Sequence, residues 1–181
     1  LDIAFANAGI ESGDASIEEI APDAWANVLA VNQTGVMLTV QHAVRLMKDN
    51  PGGAAGSIIV NSSMNALRPL GNFVAYSTTK AAVVALAKSA AVYCGQAGYR
   101  IRVNAICPGV VETDMIRNVI ARQPDAAAAR AMYEGMAPLR RMAQLDEISG
   151  LVAYLASDEA AFVTGAEIAI DGGTTAGMMG V

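Results

Sequence analysis

The sequence predicts an α/β fold, a doubly wound parallel sheet whose ligand edge lies at the carboxyl ends of its strands. Two observations carry that prediction. Short apolar runs of strand length alternate along the chain with longer segments of helical composition, and no internal repeat or low-complexity linker divides them. In addition, Ser63 precedes Tyr76 by thirteen residues and Lys80 follows that tyrosine by four. This places a hydroxyl at a strand end, and a phenol and an ammonium on the helix that follows, which is a proton-transfer constellation at the edge where open α/β sheets bind ligands.

The elements follow in order. The chain opens in an apolar strand over residues 1–6, and Pro22-Asp23 begins a long helix running to Met47, closed by Gly52-Gly53. Residues 57–61 have the length and composition of a short buried strand, which puts the Ser63 hydroxyl at its carboxyl end. Residues 75–97 are rich in Ala, Val and Leu, with no Pro and no interior glycine before Gly95, so a helix is predicted there. Tyr76 and Lys80 then share a face, and an ammonium one turn from a phenol favours the phenolate. The next strand is predicted over 102–106, a helix over 146–157 and a last strand over 167–170. Between them, 115–135 breaks the alternation with a polar, Ala-rich stretch holding Pro124 and Met132.

Composition bounds the function. A chain of 181 residues that is 54% hydrophobic and 16% charged, with 17 Gly and 6 Pro, can build a substantial core and reads as one soluble globular domain. Its formal charge of -5, with no dense Lys/Arg stripe, argues against nucleic acid as a partner. The apolar stretch 81–92 is interrupted by Lys88 and Ser89 and falls short of a bilayer span, so no membrane segment is expected. Cys94 and Cys107 form neither a metal nor a disulfide pattern, and a packing role in a reducing cytoplasm is expected for both. No metal site is predicted. His42, the single histidine, has no carboxylate or serine at helical spacing and is expected to be a partly buried packing residue.

Six motifs in register resemble the short-chain dehydrogenase/reductase family over nearly the whole chain. They are Asn7-Ala8-Gly9, preceded by Ala6 where the family carries a first Asn; Asn32 within Val31-Asn32-Gln33-Thr34-Gly35; the Ser63, Tyr76, Lys80 set; Asn104 to Pro108-Gly109 followed by Thr113; Tyr154 to Asp158 with Val163-Thr164-Gly165; and Asp171-Gly172-Gly173. The resemblance implies a Rossmann-type sheet and reversible hydride transfer between a nicotinamide cofactor and a secondary alcohol or ketone. It implies a catalytic tetrad of Asn32, Ser63, Tyr76 and Lys80, with Tyr76 as general acid/base, Ser63 on the substrate oxygen, Lys80 lowering the Tyr76 pKa and binding the nicotinamide ribose, and Asn32 holding a relay water. Cofactor contacts are implied for Asn7, Ala8, Gly9, Tyr76, Lys80, Pro108, Gly109, Val111 and Thr113. The segment 115–135 is then a lid over the substrate, in which Met115 and Met132, with Met64, stand where a greasy substrate would lie.

The family's glycine-rich dinucleotide turn is absent from these residues, since Gly52-Gly53 and Gly56 precede a strand instead of joining a strand to a helix. The expectation is therefore the carboxyl-terminal part of a longer protein, a single incomplete domain with strands four to seven of the family sheet, and the strand 1–6 left as an unpaired edge exposing Ile3 and Phe5. Likeness of 93–104 and of the 174–181 tail to bacterial hydroxysteroid and secondary-alcohol dehydrogenases implies NAD in preference to NADP. It also implies a homo-oligomer, dimer or tetramer, assembled through the helices at 23–47 and 76–97 with the tail on another subunit. Other readings stay open: carbonyl reduction of an acyl-carrier substrate, dehydration or epimerisation, or a non-catalytic scaffold fragment that serves subunit association. Each motif residue also has a structural reading. Asn32 satisfies buried backbone groups, Gly9 and Gly109 serve turns, and only its spacing to Tyr76 distinguishes Ser63 from Ser62.

Overall fold

The computed structural model describes residues 1–177; Met178 to Val181, the end of the tail called above, lie outside the described residues. Four parallel strands, β1 (Ile3–Ala6), β2 (Ala55–Asn61), β3 (Arg100–Pro108) and β4 (Glu167–Ile170), pair in sequence order. The register runs Ile3 to Ser57, Ser57 to Arg102 and Ala105 to Glu167. Crossovers are helical: α1 (Pro22–Leu29) and α2 (Val36–Met47) between β1 and β2, α3 (Val74–Gln96) between β2 and β3, and α4 (Asp114–Ala121), α5 (Ala126–Gly135) and α6 (Leu145–Ala156) before β4.

The sheet is covered on both faces, and alternation within the buried strands shows how. Ile58 and Val60 on β2, with Val103, Ala105 and Cys107 on β3, pack with Val36, Val40, Ala43 and Met47 of α2 and Val83, Ala87, Ala91 and Cys94 of α3. Ile59 and Ile106 point the other way and pack with Leu155, Ile148 and Leu151 of α6. Central strands buried on both faces therefore read in sequence as unbroken apolar runs. β1 is an edge, with Ile3 50% and Phe5 37% exposed, as the strand order predicts.

Three expectations are corrected. The long helix at 22–47 is interrupted by a π-helical stretch, Ala30–Gly35, which carries Asn32. The polar stretch at 115–135 is two short helices: Thr113 Oγ1 caps α4 by accepting from Ile116 N at 3.3 Å, and Asp125 Oδ1 caps α5 by accepting from Ala128 N at 2.9 Å. His42 is exposed on α2 and packs into nothing.

Several motif residues turn out to hold the scaffold. Asn104 Nδ2 donates to Val163 O (2.8 Å) and its Oδ1 accepts from Ala166 N (3.0 Å), which ties the loop before β4 to β3. Ser57 Oγ and Arg102 Nη1 both donate to Leu155 O, at 2.8 and 2.7 Å, and secure the end of α6. The Asp171 carboxylate folds the turn after β4 by accepting from Gly173 N, Thr175 N and Thr175 Oγ1. Among the described residues no helix is long and apolar enough to cross a membrane.

Candidate active site

The carboxyl ends of β1, β2 and β3 bring the sequence-predicted residues to one rim: Asn7 to Gly9 after β1, Ser62 and Ser63 after β2, and Pro108 to Thr113 at the end of β3 and beyond. α3 starts at this rim, with Tyr76 and Lys80 on its first two turns.

The two adjacent serines separate cleanly. Ser62 Oγ donates to Lys80 O at 2.7 Å, so it fastens α3 to β2 and is spent. Ser63 is buried, and its Oγ accepts from Asn65 N at 3.2 Å, which leaves its proton free. That oxygen also interacts with the Tyr76 hydroxyl and favours the phenolate. The net displacement of the Tyr76 pKa is nevertheless upward: burial is the largest cause, and the charge of Glu11 adds to it. The lysine does not do what its spacing predicts. Lys80 Nζ stands 5.3 Å from the Tyr76 ring centroid and donates to Asn61 O at 2.8 Å, so its charge faces the ring and the strand end. Its own pKa is pulled down to about 8 by burial, the side chain being 3% exposed.

The Asn32 side chain is engaged by the segment after β1. Its Oδ1 accepts from Ile10 N and its Nδ2 donates to Ile10 O, both at 2.8 Å, with a further contact from Nδ2 to Thr79 Oγ1 at 3.4 Å. Gly9 covers the junction of Asn32 and Lys80: a Cβ there would lie 3.4 Å from both Asn32 Oδ1 and Lys80 Nζ. Gly109 is required by packing, because a Cβ would meet Asp171 Cα at 2.8 Å. Thr113 keeps its hydroxyl proton while its oxygen caps α4, and Val111 bridges to Ala143.

Two residues at the site escaped sequence reasoning. Asn61 supplies the carbonyl that holds Lys80 and donates from Nδ2 to Asn7 Oδ1 at 2.7 Å. Asp14 caps α3 from sixty residues away, accepting from Ala75 N at 3.0 Å and from Tyr76 N at 2.6 Å. Phe73, the residue at the cap position itself, offers no side-chain acceptor, and that missing cap was the only signal in the sequence.

A nicotinamide nucleotide fits these residues. Lys80 is a buried ammonium with three donors, of which the hydrogen bond to Asn61 O accounts for one. Gly9 presents bare backbone beside it, where a Cβ would lie in van der Waals contact with Lys80 Nζ at 3.4 Å. Adjacent donors over a side-chain-free backbone suit a diol such as a ribose. A separate cavity of about 250 Å³, lined by Tyr133, Met136, Leu139 and Asp171, lies under α5 and does not include the Ser63 and Tyr76 side chains.

Comparison with known proteins agrees with this geometry. Residues 1–175 match the family described as enoyl-(acyl carrier protein) reductase. The chain is 38% identical to cis-4-hydroxycyclohexanecarboxylate dehydrogenase of Sinomonas cyclohexanicum over 97% of its own length and 66% of that protein's. It is 41% identical to 3-alpha-(or 20-beta)-hydroxysteroid dehydrogenase of Mycobacterium bovis, over 98% of its own length and 62% of that protein's. A crystal structure of a short-chain type dehydrogenase/reductase from Mycobacterium marinum superimposes with a TM-score of 0.83 at 37% identity, covering 97% of this chain and 65% of that one. The chain thus spans a little under two thirds of the length of these relatives. A doubly covered parallel sheet, a buried lysine one turn from a tyrosine at its carboxyl edge and matches along the whole chain have one common account: the chain belongs to the short-chain dehydrogenase/reductase family.

Proposed function

We propose that the full-length protein is an NAD(P)-dependent oxidoreductase, using NAD in preference, that interconverts a secondary alcohol and its ketone in the cytoplasm. The observation that carries this reading is Lys80. Burying an ammonium without a carboxylate partner is costly, and a scaffold fragment gains nothing from it, whereas a cofactor site gains a cation with free donors.

When bound, the nicotinamide cofactor supplies or accepts the hydride. Lys80, Asn7, Ala8, Gly9, Pro108, Gly109, Val111 and Thr113 would hold it, with Lys80 on ribose hydroxyls and Thr113 on the carboxamide. In oxidation Tyr76 as phenolate takes the hydroxyl proton of the alcohol, and in reduction its phenol returns a proton to the ketone oxygen. Ser63 donates its free proton to the same substrate oxygen and fixes it beside Tyr76. Asn32 holds the Ile10 segment beside Lys80, where a water against Asn32 would connect the ammonium to solvent. Because burial holds Tyr76 above its ordinary value, reduction is favoured near neutral pH and oxidation rises as the pH climbs toward that raised value. The helices α4 and α5 cover the substrate, and α2 and α3 form the face of a homodimer or tetramer.

The test is calorimetric titration of the full-length protein with NAD and NADP, followed by steady-state kinetics with cyclic secondary alcohols. Nucleotide binding and turnover that is lost in Tyr76→Phe supports the assignment, and Tyr76→Phe with undiminished turnover sinks it.

A further inference from the structure

The segment between β1 and α1 approaches the tyrosine under tight control. Ile10 is held through both its N–H and its carbonyl by Asn32, at 2.8 Å each. Four residues later Asp14 takes the N–H groups of Ala75 and Tyr76, and Ala15 O accepts from Val74 N at 3.3 Å. The span between these anchors closes as a turn, with Asp14 N donating to Glu11 O at 3.1 Å and Gly13 at φ 81, where a side chain is disfavoured. Only Glu11, Ser12 and Gly13 lie between the anchors, so the glutamate has a fixed backbone beside Tyr76. Its carboxylate is exposed and makes no ion pair among the described residues.

We propose that Glu11 is a specificity-determining residue, a charge filter that favours neutral and cationic alcohols over alcohols carrying a carboxylate. The inference rests on the oxidoreductase reading above and adds the substrate's charge to it. The charges that face Tyr76 are Lys80 on its own helix and Glu11 and Asp14 on the loop, while Ser63 from the β2 end is neutral. Lys80 is turned to Asn61 O, and Asp14 is engaged by backbone donors. Of these two loop carboxylates, Glu11 is therefore the one that no hydrogen bond or ion pair engages among the described residues. Its backbone is anchored one residue before it at Ile10 and three residues after it at Asp14, which holds Tyr76 N, and its charge adds to the upward push on the phenol pKa. At a separation of a substrate's length, partly screened, one like charge changes selectivity by roughly threefold to tenfold.

Three alcohols of one ring size test this in the full-length protein: cyclohexanol, trans-4-aminocyclohexanol and trans-4-hydroxycyclohexanecarboxylate. In Glu11→Gln the anion-to-neutral ratio of kcat/KM is expected to rise about threefold to tenfold and the cation-to-neutral ratio to fall, with both differences fading as ionic strength goes from about 0.01 M to about 1 M. Unchanged ratios in a variant that turns over cyclohexanol overturn the filter. Should the wild-type protein oxidise none of the three with either nucleotide, the oxidoreductase reading is what fails. The premise of the filter, that the Glu11 charge reaches Tyr76, is then read by ultraviolet titration of Tyr76 against a Tyr76→Phe reference. A lower Tyr76 midpoint in Glu11→Gln supports it, and an unmoved midpoint overturns it.

Discussion

Two stretches border the same rim and are built in opposite ways. Between Asn61 and Lys80 the residues the site uses, Ser62, Ser63, Tyr76 and Lys80, are buried or half-buried, and hydrogen bonds to main-chain groups hold them: Ser62 on Lys80 O, Lys80 on Asn61 O, and the Asp14 carboxylate on Tyr76 N. From Asp114 to Gly135 only Ile120 is buried, Met115 and Met132 stand open, and the side-chain ties to the preceding turn are Arg130 to the Glu112 carboxylate and Arg117 to Glu112 O. Backbone hydrogen bonds in a close-packed setting fix positions, whereas exposed ion pairs are weak and easily exchanged with water. The proposed function would divide the work along this difference, since proton transfer needs fixed atoms and a cover needs to let substrate pass.

The largest expected effect falls on the fixed stretch. Tyr76→Phe removes one hydroxyl and keeps the ring's edge contact with Phe73, whose centroid is 6.3 Å away. kcat should fall about 10²- to 10⁴-fold with an unchanged melting midpoint, as measured by steady-state kinetics and calorimetry. A drop under tenfold would remove the distinction between the two stretches.

Lys80 sharpens the comparison through stability. Its folded pKa of about 8 lies below the ordinary 10.5, so the unfolded chain holds this proton more tightly. Below pH 8 both states are protonated and the penalty of burying the charge is present in full. From pH 8 to 10.5 the unfolded state binds more protons, so stability rises with pH until the penalty, about 3 kcal/mol, is gone. Denaturant melts of the protein with Lys80 minus Lys80→Met should show that rise across this window. Cys94, raised by burial, acts alike in both proteins and cancels in the difference, whereas Tyr76 and Cys107 lie beside Lys80, so both proteins carry Tyr76→Phe and Cys107→Ser for this comparison. The lost bond to Asn61 O shifts the offset only, so a flat difference would contradict the buried-ammonium reading.

These cases show what the sequence could reveal. The buried strands at 57–61 and 102–106, which extend to 55–61 and 100–108, the helix at 75–97 and its tyrosine-lysine face were legible because periodicity and residue spacing act locally. Ser63 was separable from Ser62 by spacing, but the reason, Ser62 being bound to Lys80 O, lies 18 residues away. The upward direction of the Tyr76 shift is not legible in the spacing because burial of the phenol, a tertiary property, is its largest cause, and a one-turn spacing fixes a shared face and not where the ammonium points. The π-helical stretch at Asn32 was not legible because Asn32 is held by Ile10, 22 residues away, and α4 and α5 were obscured by polar composition although their caps, Thr113 and Asp125, are local.

Asp14 tests whether the fixed stretch depends on its distant anchor. Asp14→Ala leaves Ala75 N and Tyr76 N without their acceptor, and a loss of about 1–2 kcal/mol is expected, with a lower kcat. Asp14→Asn keeps one acceptor oxygen and should recover most of the stability. Equal losses in both variants would show that the carboxylate's charge, not the cap geometry, holds the helix. On the loose stretch, Arg130→Met cuts the tie from α5 to Glu112, which sits in the turn between Gly109 and Thr113. Substrate KM should rise a few-fold while the melting midpoint stays put, and added salt should reproduce the effect in the wild type. A fall in kcat with constant KM would move this pair from the cover to the fixed machinery.

The smallest effect lies just beyond α5. Arg140 is the one non-glycine among the described residues with positive φ, 55°, in a loop where its side chain is exposed. Left-handed backbone costs a residue with a Cβ about 1–2 kcal/mol, and glycine escapes that strain but gains about 0.5–1 kcal/mol of freedom in the unfolded chain. Arg140→Gly should therefore stabilise by a net of about 0.5 kcal/mol in a urea melt, without touching the tyrosine's pH profile. Destabilisation instead would mean that the arginine side chain contributes more than its backbone strain takes away, and the loose stretch would then hold an anchor comparable with those of the fixed one.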